Sequence, residues 1–465
     1  MAETKYKYRF LAKIVVEAAT PLSICSGVKN IITDSMIIKD CNGLPYIPGT
    51  SIAGAVRHYL DNKENAPELF DNQKFTKFFG YQIPFKDNNG EGSQIIFSDA
   101  KLVGADSKAV DGLKSKKELS DPFLKNYLDL PVRQHCRISH RGVAADKGKF
   151  DEQIVFAGSR FCFEIEMVAK DKTADYEFFS VLNVINSEMF RIGGGTRKGF
   201  GAVQVAEPIK TAFLDLCEKD QLQAYIDKSS DLADDWYGYQ KYPSDYKPQK
   251  DTAGWIKYSL KLIPESFFLF GSGFADSEVD MTPVKGFKIF WDKKTGKNPN
   301  LETEDIILIP ATSLKGAISH RTAFHWNKDN NSKLTGTDNP AVAALFGSEG
   351  KGQNAEGQSR GNVIFSDVIK VKESGTSSKI LNHVAIDRFT GGAIDGALFS
   401  EKTLYGKNEV LETELFVSPY ISGEYIAAFE KTLDDIVNGL LPLGGGVNRG
   451  NGVFGGSWTK TNGGL

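Results

Sequence analysis

The sequence predicts an α+β protein of two tandem ferredoxin-like modules, each with the element order β-α-β-β-α-β and with inserted hairpins and loops. Two observations predict this architecture. Four sequence signals occur twice, in the same order, and each half shows the same succession of strand and helix patterns. At 465 residues, the chain is long enough for each half to bury a hydrophobic core of its own.

The internal repeat consists of four pairs of segments. The first half contains LPYIPGTSIAGAVRH, GSQIIFSDA, RISHRGVAADKGKF and IGGGTRKGFGAVQV, and the second contains LIPATSLKGAISH, GNVIFSDV, VAIDRFTGGAIDGALF and LGGGVNRGNGVFGG. The offsets are similar: 310 − 48 = 262 between the turn prolines, 367 − 99 = 268 between the FSD aspartates and 444 − 193 = 251 between the glycine loops. Nearly constant offsets are typical of a duplication followed by loop insertions.

Each half follows the same succession of elements. It opens with a strand rich in β-branched and aromatic residues, YRFLAKIVVEA or WIKYSLKLI. A helix follows the proline turn, and Ser51 and Ser313 are predicted to cap its N-terminus through their hydroxyls. The repeated FSD strand places Asp99 and Asp367 where we expect them to cap a turn or pair internally. A further strand, a helix, a glycine loop and a last strand complete the split βαβ pattern.

The repeat divides the chain into a first module at residues 1–207, a connecting segment at 208–253 and a second module at 254–465. The connecting segment begins with TAFLDLCEKDQLQAYIDK, whose apolar positions predict a helix. It continues as the polar and aromatic stretch DDWYGYQKYPSDYKPQKDT, which is typical of a linker.

Composition restricts the class of protein. The formal net charge of −3 is unlike that of most freestanding nucleic-acid binders, although local basic surfaces can exist on a neutral chain. The five cysteines show no CxxC pair and no zinc-ligand spacing. No apolar run approaches the roughly 18 residues that span a bilayer, and the N-terminus lacks the apolar core of a signal peptide. These features predict a cytoplasmic protein with reduced thiols and no membrane partner.

Two glycine-rich loops, residues 193–201 and 444–452, follow a predicted helix and precede a strand. Phosphate-binding loops of nucleotide sites have the order strand, glycines, helix, so the topology argues against an NTP or NAD site. Two interpretations remain. The glycines end a helix and turn the chain into a strand, or their backbone amides, with Arg197, Lys198 and Arg449, hold a phosphodiester backbone.

At these residues the sequence resembles the RAMP superfamily of CRISPR-associated proteins. The resemblance rests on the IPG-S-x-x-G-A helix start, the FSD strand, the VAIDRFTGGA segment and the late glycine loop, in the same order in both halves. It is most similar to the backbone subunit of type III effector complexes, here as a tandem fusion. The resemblance implies RNA-recognition (RRM-like) sheets. It also implies that CRISPR RNA (crRNA), target RNA and other subunits of a type III CRISPR effector complex are partners.

The resemblance and the residue chemistry together give a set of candidate RNA-binding residues. The clusters RQHCRISHRG and IDRFTGG correspond to the thumb, a hairpin that in this family folds over RNA; a charged surface hairpin is the alternative. The candidates are Gly193, Gly194, Gly195, Arg197, Lys198 and Gly199 in the first glycine loop, Gly444, Gly445, Gly446 and Arg449 in the second, Ser51, Ser313 and Lys315 at the helix starts, and His135, Arg137, Arg141 and Arg388 in the thumbs.

The resemblance also implies metal-dependent cleavage of target RNA by an aspartate after the first strand, in a D-S-x-[IV]-[IV]-[KR]-D context. TDSMIIKD puts Asp34 at that position, and VDMTPVKG puts Asp280 there, with Asp276 and Glu278 as alternatives. An aspartate can hold Mg²⁺ or another divalent cation beside a phosphate, or orient the attacking 2′-hydroxyl. Asp34 and Asp280 are therefore the predicted catalytic residues and metal ligands; a solvated loop carboxylate is the alternative.

Three functions remain open from the sequence. The first is a crRNA-binding backbone subunit of a type III effector complex, with metal-dependent endoribonuclease activity toward target RNA. The second is a scaffold of the same architecture without catalysis. The third is an endoribonuclease that processes CRISPR RNA, although its two folds do not usually both carry the helix-start and FSD segments.

Overall fold

The computed structural model describes residues 6–28, 33–61, 78–82, 90–241, 254–292, 294–348, 358–372, 376–406 and 409–462. It confirms the predicted α+β class, because helices pack against sheets whose neighbouring strands run antiparallel. The two principal sheets each have the strand order of a ferredoxin-like fold.

The first module is organised around a long central strand. Its elements are β1 (Tyr8–Ala18), α1 (Gly49–Asp61), β2 (Tyr81–Gln82), β3 (Gly90–Glu91), β4 (Ile95–Phe97), β5 (Lys101–Leu102), α2 (Pro122–Leu128), β6 (Val132–Ile138), β7 (Ala144–Gln153), β8 (Arg160–Ala169), α3 (Asp175–Asn186) and β9 (Val203–Val205). The sheet order β9-β1-β8-β4 is antiparallel throughout. This order follows from the β-α-β-β-α-β succession when the first and third strands of the motif lie side by side.

Helix α3 covers one face of this sheet. Phe178, Val181 and Ile185 recur at helical spacing and are at most 1% exposed. They belong to one apolar cluster with Ile14 of β1 and Phe163 of β8. The helix and the sheet therefore form the two layers of the first hydrophobic core.

The connecting segment contains less helix than its sequence predicts. Its elements are β10 (Lys210–Asp215), α4 (Lys219–Ile226) and β11 (Gln240–Lys241). The prediction of a helix from residue 211 was wrong for residues 211–215, which pair with β1. The physical reason is tertiary: in the strand, the Leu214 side chain packs with Leu11 and Trp236 on the second face of β1. Residues 242–253 lie outside the described ranges, and the module boundaries stay a prediction.

The second module repeats the architecture of the first. Its elements are β12 (Ile256–Pro264), β13 (Lys288–Phe290), β14 (Asn300–Glu302), β15 (Ile306–Ile309), α5 (Ala311–Asp329), α6 (Pro340–Phe346), β16 (Gly347–Ser348), β17 (Ser359–Arg360), β18 (Val363–Ile364), β19 (Val368–Val371), β20 (Ser377–Ile386), β21 (Ala393–Tyr405), β22 (Leu411–Val417), α7 (Gly423–Val437) and β23 (Phe454–Thr461). The sheet order β23-β12-β22-β18 is the same 4-1-3-2 arrangement, again antiparallel. The duplication read from the sequence is therefore visible in the topology.

The starts of α1 and α5 are capped differently from the prediction. The helices begin at Gly49 and Ala311, so Ser51 and Ser313 lie inside the first turn rather than at the N-cap. The first amide of each helix instead donates to the FSD aspartate: Gly49 N to Asp99 Oδ1 at 2.9 Å and Ala311 N to Asp367 Oδ1 at 2.8 Å. A carboxylate at this place satisfies a free amide and favours the positive end of the helix dipole.

A seam joins the two modules through the first glycine loop. Gly199 forms a parallel bridge with Ser366, and a Cβ at Gly199 would lie 2.4 Å from the Cβ of Ala311. The guanidinium of Arg133 contacts the carboxylate of Asp367 at 2.5 Å, and the two side chains are 5% and 0% exposed. The seam is therefore closely packed and contains a buried ion pair.

None of the helices in the described ranges is both long and apolar enough to cross a membrane. All five cysteines are free thiols, and only Cys162 is buried. Burial raises the pKa of the Cys162 thiol to about 12, which keeps it protonated at neutral pH.

Candidate functional site

Each module carries a two-stranded hairpin outside its main sheet. The first thumb is β6–β7 (residues 132–153) and the second is β20–β21 (residues 377–405); the register shifts after the fifth pair of the first and after the eighth pair of the second. Arg137, Arg141 and Arg388 are exposed toward the ends of these hairpins. His135 instead lies buried at the base of the first thumb, so the hairpin residues predicted to bind RNA occupy two different environments.

The loop that carries Asp34 runs beside the return strand of the first thumb. Asp34 N donates to Asp151 Oδ1 at 2.8 Å, and Asp151 N donates back to Asp34 Oδ2 at 3.3 Å. Ser35 forms a parallel bridge with Glu152. The Asp34 side chain is exposed, so its position is fixed by the thumb while its carboxylate faces solvent.

Asp280 occupies the equivalent place in the second module. Ser400 N and Ser400 Oγ donate to Asp280 Oδ2 at 2.8 and 3.0 Å, and Met281 forms a parallel bridge with Glu401. The alternative candidate Asp276 caps its own loop, because its carboxylate accepts hydrogen bonds from the amides of residues 278 and 279. That hydrogen bonding lowers the pKa of Asp276. The geometry therefore makes Asp280 the structural counterpart of Asp34.

Three consecutive residues of each return strand form what we call the thumb junction, residues 150–152 and 399–401. Its first residue is an aromatic ring that stacks on a histidine. The ring centroids of His135 and Phe150 are 4.8 Å apart, as are those of His383 and Phe399. A cation from the glycine loop lies over the same ring: Lys198 Nζ is 4.9 Å from the first and the guanidinium of Arg449 is 5.3 Å from the second.

The third residue of each thumb junction is a buried glutamate paired with that histidine. In the first module, His135 Nε2 is 2.8 Å from Glu152 Oε1. Although burial opposes the charged form, the hydrogen bond and charge of His135 and the charge of Lys198 lower the pKa of Glu152. This carboxylate therefore remains ionised inside the junction.

The second module carries the corresponding pair. His383 Nε2 is 3.1 Å from Glu401, whose carboxylate has no solvent exposure and also accepts from Arg449 at 2.7 Å and Asn451 at 3.0 Å. Each junction thus connects a thumb, a glycine loop and an aspartate loop.

The sequence interpretation missed the thumb junctions. A usable signal was present, because His135 and His383 differ by 383 − 135 = 248, while the phenylalanines and glutamates differ by 399 − 150 = 401 − 152 = 249. The repeated segments RISHRGVAADKGKF and VAIDRFTGGAIDGALF both end at the junction phenylalanine, while the histidine and the glutamate lie just outside them. Extending the two segments by two residues at each end would have included all three positions.

The glycine loops pack against the chain itself. Gly194 N donates to Ser23 O at 2.6 Å, and Gly445 N donates to Leu269 O at 2.7 Å. At Gly193 and Gly444 the backbone has positive φ, and a Cβ would lie 2.6 and 2.5 Å from the same two carbonyl oxygens. These contacts are a structural reason for glycine at both positions, because a side chain would clash with the carbonyl oxygens. RNA contact by Gly193–Gly195, Gly199 and Gly444–Gly446 stays a prediction.

The two basic residues of the first glycine loop point to different partners. Arg197 Nε donates to Gly361 O at 2.8 Å, and the guanidinium lies 5.3 Å from the ring of Trp255. Arg197 therefore contributes to the seam between modules. Lys198, over the ring of Phe150, is the counterpart of Arg449.

Lys315 lies half-buried near the start of α5, beside the first glycine loop. Burial, followed by the charges of Lys198 and Arg197, lowers the pKa of Lys315 to about 8. Positive charges from both modules thus converge at the seam, where Ser313 is also half-buried. An anionic ligand at this point would relieve their mutual repulsion.

Within the described ranges, no group of three or more histidine, cysteine or acidic side chains is arranged to hold a metal ion. Mg²⁺ is commonly held by one or two carboxylates together with substrate phosphates. The exposed carboxylates of Asp34 and Asp280 fit this arrangement, in which RNA phosphates supply the remaining oxygens.

Fold and site together define a duplicated ferredoxin-like protein with two thumbs and two glycine loops. The family model of the RAMP superfamily matches residues 15–204 and 296–454. The chain therefore belongs to the RAMP superfamily. RAMP proteins bind crRNA within CRISPR complexes. No curated protein matches the sequence.

Proposed function

We propose that this protein is a crRNA-binding backbone subunit of a type III effector complex, and that it cuts guide-paired target RNA at two positions. One observation carries the proposal. Asp34 and Asp280 stand at equivalent places in the two modules, each exposed and hydrogen-bonded to the same position of a thumb return strand. Two solvated loop carboxylates with no shared role would have no reason to keep this placement.

The chemistry proposed is attack of a 2′-oxygen on the adjacent phosphorus. The P–O5′ bond breaks, which leaves a 2′,3′-cyclic phosphate and a 5′-hydroxyl. Asp34 or Asp280 orients the 2′-hydroxyl and accepts its proton, while the 5′-oxygen takes a proton from solvent. Asp34 or Asp280, together with RNA phosphates, would hold a divalent cation, which would supply positive charge to neutralise the phosphate.

The proposed RNA path follows the positive groups. Lys198 and Lys315 lie at the seam, and Arg137, Arg141 and Arg388 lie on the thumbs. These groups contact phosphates rather than bases, so the guide sequence itself is not read. The net charge of −3 is compatible with this role, because local basic surfaces can exist on a nearly neutral chain.

Comparison with the seam supports the proposal that partner subunits bind at both ends of the chain. At the seam, Gly199 packs against Ala311 and Asp367. Its counterpart Gly450 has no atom within 4 Å of an added Cβ, and Asp99, the counterpart of Asp367, has a side chain that is 46% exposed. We propose that further subunits of the complex occupy these two faces.

The test maps the products of an end-labelled target in the assembled complex. Asp34→Ala should remove one cut and leave the other, Asp280→Ala should remove the second, and chelation of divalent ions should abolish both. Asp395→Ala and Asp146→Ala, which remove exposed carboxylates from the return strands of the two thumbs, are the matched controls and should change neither cut.

Two results would replace the proposal with its alternatives. Unchanged product bands in both aspartate variants would leave a scaffold without catalysis. Specific cutting of free repeat RNA by the purified chain would indicate a processing endoribonuclease.

A further inference from the structure

We infer that Asp151 and Ser400 are positioning residues, which hold the loops of Asp34 and Asp280 against the thumbs in the geometry needed for cleavage. The inference rests on the proposed function, and it concerns residues that no sequence signal singled out. Both lie in the middle of a thumb junction, between the aromatic ring and the buried glutamate.

In the first module the contact is reciprocal. The Asp151 carboxylate accepts from the amide of Asp34 at 2.8 Å, and the Asp34 carboxylate accepts from the amide of Asp151 at 3.3 Å. Two residues after Asp151, Gln153 N donates to Ser35 O at 2.9 Å. The Asp151 side chain therefore fixes the backbone of Asp34 and leaves most of the Asp34 carboxylate free.

In the second module a hydroxyl makes the equivalent contact. Ser400 Oγ donates to Asp280 Oδ2 at 3.0 Å and lies 3.2 Å from the amide of Asp280. Backbone bonds again run alongside, from Met281 N to Ser400 O at 3.1 Å and from Lys402 N to Met281 O at 2.9 Å. The same link is thus made with different side-chain chemistry.

The duplication makes this recurrence informative. The loops around Asp34 and Asp280 differ in sequence, and the residues opposite them differ in charge. Yet each opposite side chain reaches the amide of its aspartate. The contact is present in both modules although Asp151 and Ser400 differ in charge and shape. This indicates that the position of the aspartate loop is what the contact maintains.

The other two residues of each thumb junction anchor Asp151 and Ser400 to the rest of their module. Phe150 and Phe399 contact the histidine and the glycine-loop cation, and Glu152 and Glu401 pair with the same histidine. Because the positioning residue lies between these two anchors, the aspartate loop is held relative to both the thumb and the glycine loop.

The experiment compares side-chain variants in the assembled complex. Asp151→Ala should lower kcat of the cut made by the first module, by on the order of 100-fold if Asp34 shifts by about 1 Å. KM and the other cut should not change. Asp151→Asn should restore kcat, because its Oδ1 still accepts from the Asp34 amide. Asp146→Ala, an exposed aspartate on the same strand, should behave as the wild type.

The second module supplies an independent test with a smaller change. Ser400→Ala should lower kcat of its own cut, and Ser400→Thr, which keeps the hydroxyl, should restore it. Ser377→Ala in the same hairpin is the control.

If Asp34→Ala removes its cut while Asp151→Ala and Ser400→Ala leave kcat unchanged, the inference is overturned and the proposed function stands. If Asp34→Ala and Asp280→Ala are both silent, it is the proposed function that fails. Should Asp151→Ala not assemble, the Ser400 pair decides alone.

Discussion

The environment of Lys315 predicts that the proposed RNA binding depends on pH. The desolvation that lowers its pKa to about 8 acts against the ammonium form, and the cations of the first glycine loop add to that effect. Below about pH 8 the group is charged in both folded and unfolded states, at a cost to the fold. As pH rises from about 8 toward the ordinary value of 10.5, the folded state loses the proton first and gains stability.

Binding of RNA should follow the opposite trend. A neutral Lys315 cannot attract phosphate, so affinity should fall as pH rises from 7 to 9. Lys315→Arg should flatten this dependence, because a guanidinium stays protonated throughout. Fluorescence anisotropy with one labelled RNA at constant ionic strength measures both proteins. Parallel pH profiles for wild type and Lys315→Arg would contradict this assignment.

At the scale of secondary-structure elements, the contact between the two modules depends most on the hydrogen bonds and charges at the start of α5. Asp367 accepts from the Ala311 amide and from Arg133 of the first thumb, so one buried carboxylate serves a helix cap and an ion pair between modules. This explains why the FSD strand ends in aspartate in the second module. In the first module, Asp99 keeps the cap without the buried arginine.

Removal of Arg133 should therefore cost more than removal of an ordinary basic residue. Arg133→Ala leaves the carboxylate of Asp367 buried and unpaired, which typically lowers the free energy of unfolding by about 3–5 kcal/mol. Lys210→Ala removes an exposed pair with Asp235 and should cost less than about 1 kcal/mol. Urea unfolding followed by tryptophan fluorescence measures both; equal losses would show that the Arg133 pair is not buried in solution.

The same elements show what the sequence could and could not predict. The order of strands and helices followed from the repeat. Asp99 and Asp367 were expected to cap a turn or pair internally, and each accepts from the first amide of a helix. The N-cap prediction for Ser51 and Ser313 failed because the competing carboxylate lies 50 or more residues away. Strand β10 was missed for a similar reason: local apolar spacing fitted a helix, while pairing with β1 decided the outcome. In both cases where the sequence prediction failed, a contact between residues distant along the chain determined the structure.

At the scale of the whole molecule, charge is nearly balanced, with 56 lysines and arginines against 59 aspartates and glutamates. The net charge of −3 opposes non-specific attraction of RNA, and the proposed interface relies on a limited number of phosphate contacts by positive groups at the seam and thumbs. The chain alone should therefore bind random RNA weakly, with an affinity that falls as salt increases. Filter binding across a salt series measures this. Tight binding that hardly changes with salt would contradict a phosphate-based interface.

The seam has a further consequence for assembly. Covalent connection makes the contact of Gly199 with the start of α5 intramolecular, so its formation does not depend on protein concentration. Neither module can exchange for another at this joint, even at high dilution. An effector whose backbone consists only of this chain must therefore contain an even number of modules, and its length can grow only in steps of two.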